Sequence, residues 1–198
     1  MVKTIDYYFS PMSPWTYLGH RRFMDLLRRY DAAVNVKPVD YGRIFPVSGG
    51  LPLKQRAPQR QAYRLVELRR WREFLGLALT LEPKFFPYAT DPATFMIIAT
   101  DQAFGAQRAM ELAGAIMTAC WAEERNCADR HTLTQLAAAA GLDADILRSR
   151  EAQARAAYER YTQEALDAQV FGAPSYVLDG EIFWGQDHLE FLERALQR

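Results

Sequence analysis

Cysteine is scarce in this chain, two in 198 residues, and neither sign of charge is in excess, since 24 Lys and Arg offset 24 Asp and Glu. Two thiols cannot build the disulfide-dense scaffold of a small secreted domain. Cys120 and Cys127 fall in a helical stretch, where a continuous helix would hold their Cα atoms about 10 Å apart, beyond disulfide reach. They read as unpaired and structural. Zero net charge removes the electrostatic reason to expect nucleic acid or an anionic membrane as a partner. No apolar run approaches the roughly 20 residues that cross a bilayer. Met1 to Asp6 enter a strand pattern without the apolar core and cleavage site of a secretory signal, so a cytoplasmic location is expected. His20, His131 and His188 show no metal-ligand spacing with the cysteines, and no metal site is expected. What remains is an ordinary globular composition, 49% hydrophobic and 24% charged, enough for one good-sized core or one domain carrying a large insertion.

Thr4 to Phe9 is β-branched and aromatic and ends at the breaker run Ser10-Pro11-Met12-Ser13-Pro14, which predicts a strand. Tyr17 to Tyr30 repeats apolar residues at helical spacing, and Val34 to Val39 reads as a second strand, parallel to the first through a right-handed crossover. Asp40 to Pro58 turns to Gly, Pro and Ser and reads as a loop. From Gln59 to about Gln169 the pattern is helical, interrupted at Glu82 to Pro92. Gly141 looks like a helix C-cap and Asp143 like the next N-cap. Pro174 to Leu178 and Glu181 to Trp184, joined at Asp179-Gly180, form a hairpin. A last helix, His188 to Leu196, opens on Asp187-x-x-Glu190, a capping-box spacing. The order β-α-β, helices, β-β-α describes an α/β thioredoxin-like core, residues 1–58 and 170–198, interrupted by an all-helical insertion, residues 59–169.

In such a core the junction of the first strand and first helix carries the redox Cys-x-x-Cys. Here it is Ser13-Pro14-Trp15-Thr16, with hydroxyls at both cysteine positions. A hydroxyl cannot form a disulfide, but it can donate a hydrogen bond, and a helix N-terminus favours negative charge. The site suits a thiolate brought by another molecule. A free thiol has a pKa of about 8.5, and bringing it to about 6.5 takes about 2.7 kcal/mol of preferential thiolate stabilisation. One charge-assisted hydrogen bond, about 1.5 to 3 kcal/mol, and a helix terminus, up to about 2 kcal/mol, are of that size. Ser13 is equally explained as a simple N-cap, and the two roles are compatible.

The chain resembles the 2-hydroxychromene-2-carboxylate isomerases and, more distantly, the kappa-class glutathione transferases, relatives of the DsbA-type oxidoreductases. The resemblance runs nearly end to end: Tyr7-Tyr8-Phe9 leading to Ser13-Pro14-Trp15-Thr16-Tyr17-Leu18-Gly19; Arg60, Tyr63, Glu67 and Arg70-Trp71; Trp121-Ala-Glu-Glu-Arg; Ala140-Gly141-Leu142-Asp143; Phe171-Gly172-Ala173-Pro174; and Phe183-Trp184-Gly185-Gln186-Asp187. It implies glutathione as cofactor, an aromatic carboxylate as substrate, a homodimer, and a place in the bacterial breakdown of naphthalene-like compounds. It implies that Ser13 hydrogen-bonds the glutathione sulfur and that the Ala173-Pro174 peptide is cis. The backbone of Ala173 would then pair with the cysteinyl part, while Asp187 with Gln186 would meet the γ-glutamyl end. Pro174 alone reads as a plain strand start, and Asp187 alone as a helix cap.

Arg56, Arg60 and Arg64 recur every four residues, a ladder that usually marks a solvated helix face. It could also attract anionic ligands, with Lys54 and Arg60 as substrate contacts. Trp15 and Tyr88, with Tyr17, Phe85 and Phe86, could line a slot for a flat substrate, although most aromatics are simply core. Gly50 and Ala89 stand where the family often has Asn, so cofactor or substrate contacts differ there. Two rivals remain open: a kappa-like transferase that consumes glutathione, and a non-catalytic thiol- or peptide-binding module.

Overall fold

The computed structural model describes residues 2–198. Strand β1 (Thr4–Phe9) is followed by helix α1 (Pro14–Arg29), strand β2 (Ala33–Pro38) and helix α2 (Tyr41–Ser48). Then come α3 (Pro58–Leu75), α4 (Asp91–Phe104), α5 (Ala106–Trp121), α6 (Arg130–Ala139), α7 (Ala144–Ser149) and α8 (Glu151–Asp167). Strands β3 (Ser175–Leu178) and β4 (Glu181–Trp184) and helix α9 (Leu189–Leu196) close the chain. The sheet order is β2-β1-β3-β4, with β2 parallel to β1 and both β1–β3 and β3–β4 antiparallel. This is the expected mixed sheet of a thioredoxin-like fold with helices inserted between its halves. Asp179 and Gly180 both take positive φ, 51° and 81°, the geometry of the tight hairpin turn that Asp-Gly favours.

Alternation along β1 sends its side chains to two faces. Ile5, Tyr7 and Phe9 join the main core with Leu18, Phe23 and Leu26 of α1 and Leu189, Leu192 and Leu196 of α9. Tyr8 joins a smaller cluster with Val39, Tyr41, Ile44, Ala165 and Val170. Under α1, the Tyr7 ring stacks on Phe9 at 4.4 Å and on Tyr176 at 5.3 Å, and Phe23 leans against both tyrosines. Helices α4 and α5 pack on each other and on β2, so one apolar core runs through the sheet and the inserted helices.

The stretch from Asp40 is not wholly a loop. The Asp40 side chain caps α2 by accepting the Gly42 N–H at 2.8 Å, Tyr41 and Ile44 are buried, and Gly49 ends the helix at φ 75°. Caps at both ends and two core anchors outweigh a composition that contains Pro46 inside the helix. Gly50 has a packing reason of its own: a Cβ there would lie 2.4 Å from the Phe45 ring. The last helix also differs from expectation. Gln186–His188 form a 3-10 turn, α9 starts at Leu189, and no side chain caps it. Asp187, drawn into that turn, is therefore not the N-cap that its spacing to Glu190 suggested.

Cys120 and Cys127 are both buried and free, Cys127 in the loop after α5. Burial pushes their thiols up to about 12 and about 11. An aromatic disulfide reagent at about pH 8 should leave both unmodified in the native protein and label both after unfolding.

His20 lies in the core of α1. Its Nε2 meets the Met110 carbonyl at 2.8 Å, which can only accept, so Nε2 carries the proton and Nδ1 accepts from the Tyr7 hydroxyl at 3.2 Å. Burial lowers its pKa to about 4. The unfolded chain therefore takes up this proton first, near pH 6.5. The stability that neutral His20 contributes is complete above that value and is lost as pH falls toward 4. Urea unfolding should show wild type losing about 2 kcal/mol more than His20→Asn between pH 7 and pH 5; equal losses would contradict this.

Candidate active site

Where β1 ends, the chain turns through Ser10 to Ser13, closed by the Ser13 N–H donating to the Ser10 carbonyl at 3.0 Å. Ser13 is extended, at φ −77° and ψ 124°, and its Oγ accepts the Thr16 N–H at 3.2 Å. Pro14 follows at the first helical position, where its missing N–H leaves nothing unsatisfied. Ser13 is thus a true N-cap, but capping uses only its oxygen; the hydroxyl proton remains free to donate. The first turn of α1 holds no acidic residue, while Arg28 and Arg29 sit in the last turn. The positive end of the helix is left uncompensated beside Ser13. Thr16 is fully buried with its Oγ1 unpartnered, so Ser13 is the hydroxyl of the pair that solvent and ligands can reach.

The other side of the site comes from the chain entering β3. Tyr8 pairs with Ser175, so the register, run on, sets Pro174 beside Phe9 and Ala173 beside Ser10, next to the turn that carries Ser13. The Ala173–Pro174 peptide is cis, as is Phe86–Pro87. Gly172 lies under Trp184, whose Nε1 would stand 2.2 Å from a Cβ, and its carbonyl accepts from Tyr41 Oη at 3.0 Å and Ser175 Oγ at 2.7 Å.

After β4 the 3-10 turn folds back onto α1. This is possible because residue 19 is glycine: a Cβ there would meet Gln186 Cβ at 2.7 Å. Gln186 is buried, and Arg22 Nη1 donates to its Oε1 at 2.7 Å and to its carbonyl at 3.2 Å. Asp187 beside it is 53% exposed, with its carboxylate 3.5 Å from His188 Nδ1 and capping nothing.

Between these parts runs a groove of about 200 Å³ walled by Trp15, Glu67, Trp71, Ala173, Trp184 and the turn Gly185 to His188. It gathers four of the residues singled out from sequence, namely Trp15, Ala173, Gln186 and Asp187, with Pro174 adjoining and Ser13 two residues before Trp15. Lys54 and Arg60 are exposed on the 3-10 turn before α3 and on α3, outside the groove. Tyr88 is buried, its hydroxyl unpartnered and its N–H 3.3 Å from the Met12 sulfur. Glu67, Trp71 and Trp184 were sequence markers without an assigned role; the helical spacing of Glu67 and Trp71 was the available signal that they share a face.

Arg64 departs from the solvated ladder. Its guanidinium lies 5.3 Å from the Phe86 ring and 6.0 Å from the Trp121 ring, contacts that contribute about 0.5 to 2 kcal/mol each. Burial, with Arg56 close by, lowers its pKa to about 10, which still leaves it charged at neutral pH. A larger hollow of about 240 Å³ lies among α4, α6, α7 and α8, flanked by the Arg130–Glu151 ion pair, and holds none of these residues.

A family model described as a DSBA-like thioredoxin domain matches residues 4–197. A 2-hydroxychromene-2-carboxylate isomerase of Sphingobium xenophagum is 30% identical to this chain, with 99% of each chain covered. One of Pseudomonas putida is 28% identical over 98% of this chain and 94% of its own length. Among solved structures, a 2-hydroxychromene-2-carboxylate isomerase superposes with a TM-score of 0.82 at 24% identity, covering 98% of this chain and 95% of the other. The cytosolic disulfide reductase DsbM of Pseudomonas aeruginosa, solved with GSH, gives a TM-score of 0.71 at 18% identity, covering 98% and 100%.

The cap geometry sets a stability expectation separate from any activity. Ser13→Ala should lower unfolding free energy by about 1 kcal/mol and Ser13→Gly by only a few tenths, read from urea denaturation. Equal stability of Ser13→Ala and wild type would deny the cap.

Proposed function

Because this chain belongs to the DsbA-like thioredoxin-domain family and, within it, to the 2-hydroxychromene-2-carboxylate isomerases, we propose that it is a glutathione-dependent cis-trans isomerase of 2-hydroxychromene-2-carboxylate or a close aromatic relative, giving trans-o-hydroxybenzylidenepyruvate. Isomerase activity is supported by relatives of that name along the whole chain. The observation that carries the finer reading is the hydroxyl of Ser13, its oxygen spent on the Thr16 N–H and its proton unspent, at the acid-free start of a helix.

The residues fit the cofactor. A thiolate needs a donor and a positive potential, and Ser13 with the first turn of α1 supplies both. A free ammonium needs an accessible carboxylate, and Asp187 is exposed, caps no helix and has the His188 imidazole 3.5 Å away. When bound, glutathione supplies a nucleophile that adds reversibly to the conjugated carbon, allowing rotation about the former double bond before the thiol leaves. Ser13 holds the sulfur as an anion by donating its hydroxyl proton in a hydrogen bond. Ala173 offers backbone outside the β1–β3 ladder, which begins at Ser175, to a peptide lying across the end of the sheet. Gln186, fixed by Arg22, sets the turn that presents Asp187. Trp15, with Trp71 across the groove, offers flat apolar surface to a ring, and Lys54 and Arg60 give the approach a positive potential. A disulfide exchange role finds no thiols at residues 13 and 16. We further take the enzyme to be a cytoplasmic homodimer; among the described residues no helix is long and apolar enough to cross a membrane.

The test is turnover. Incubated with 2-hydroxychromene-2-carboxylate, the protein should change its ultraviolet spectrum only when glutathione is present, and free thiol should be undiminished at the end. Ser13→Ala should lose turnover by about 100-fold or more while keeping glutathione affinity within a few-fold. Stoichiometric loss of thiol would instead indicate a transferase, and binding without turnover a non-catalytic module.

A further inference from the structure

Arg64 occupies an unusual position for a charged side chain. Its Nη2 is buried with no hydrogen-bond partner, and no carboxylate among the described residues is paired with it; Glu82 acts on it only at longer range. Buried guanidinium donors are normally matched by acceptors, and the neighbouring rings of Phe86 and Trp121 provide none. Trp121 Nε1, on one of those two rings, is also buried and unmatched. Around the Arg64 guanidinium the protein leaves the buried Nη2 without an acceptor.

That place adjoins the candidate site from two directions. Arg64, Glu67 and Trp71 follow one face of α3 at helical spacing, and the latter two wall the groove, so Arg64 continues that face by one turn. Phe86, on which the guanidinium lies, is two residues before Tyr88, whose N–H touches Met12, the neighbour of Ser13. We propose that Arg64 receives the carboxylate of the aromatic substrate and sets the preference of the enzyme for anionic over neutral ring compounds. This assignment rests on the isomerase reading above. A guanidinium packed against aromatic rings still carries several N–H donors that can pair with the two oxygens of a carboxylate, a pairing that lysine, as a point charge, reproduces only in part. Arg60 and Lys54, exposed to solvent, lack this preorganisation.

The test uses chromone-2-carboxylate, an unreactive planar probe, and neutral chromone, each titrated against glutathione-loaded protein by tryptophan fluorescence. Wild type should prefer the carboxylate. Arg64→Met should weaken its binding by about 10- to 100-fold and leave chromone and glutathione binding unchanged, with Arg64→Lys recovering part of the loss. KM for the chromene substrate should rise with kcat less affected. Equal affinity of wild type for the two probes, or an undiminished preference in Arg64→Met, overturns the assignment while wild-type turnover leaves the isomerase reading standing. Absence of turnover by the wild type would bring down that reading and this assignment with it.

Discussion

The candidate site depends on how closely one helix can approach one turn. Glycine at position 19 lets α1 touch the turn after β4, and Arg22, one turn further along the helix, locks the contact by donating to both oxygens of Gln186. A methyl group at residue 19 would occupy the space of Gln186 Cβ. Because the contact is made, the start of α1 and the exposed carboxylate of Asp187 belong to a single groove. The aromatic packing of Tyr7, Phe9, Phe23 and Tyr176 beneath the helix fixes its seat on the sheet, and buried neutral His20 ties it to α5 through Met110.

The electrostatics of the site follow from what the fold leaves uncompensated. The first turn of α1 has no acid, Ser13 keeps a proton to donate, and Arg64 has no protein acceptor for its buried nitrogen. Each feature favours an anion beside it. Asp187 is the converse, a carboxylate without a helix to cap. Some charges elsewhere are matched locally, as with Lys37 between Asp6 and Glu164, or Arg130 with Glu151.

Local chemistry made much of this legible in the sequence. β1 is bounded by its own breakers, the β3–β4 hairpin by Asp-Gly, and the cap of α1 by Ser-Pro, so each could be read within a few residues. α2 was hidden because its stability comes from Asp40 and from two side chains that find the core, while its composition of Gly, Pro and Ser reads as loop. Asp187 was misread as a cap because the spacing to Glu190 is right; the preceding 3-10 turn, held by tertiary contact with α1, takes the residue out of capping position. Arg64 was one rung of a regular ladder in sequence, and only the packing of Phe86 and Trp121, distant along the chain, separates it from Arg56 and Arg60. The groove residues from α3 were present as family markers, but nothing local says that Glu67 and Trp71 face Trp15.

The central claim is that this protein holds a borrowed sulfur as an anion at the start of α1. Titrating the thiolate absorbance of glutathione bound to the protein tests it most directly. The account predicts a thiol pKa near 6.5, about two below that of the free thiol, rising back toward 8.5 in Ser13→Ala. A bound thiol as weakly acidic as in buffer, or one whose acidity is indifferent to loss of the Ser13 hydroxyl, would contradict it.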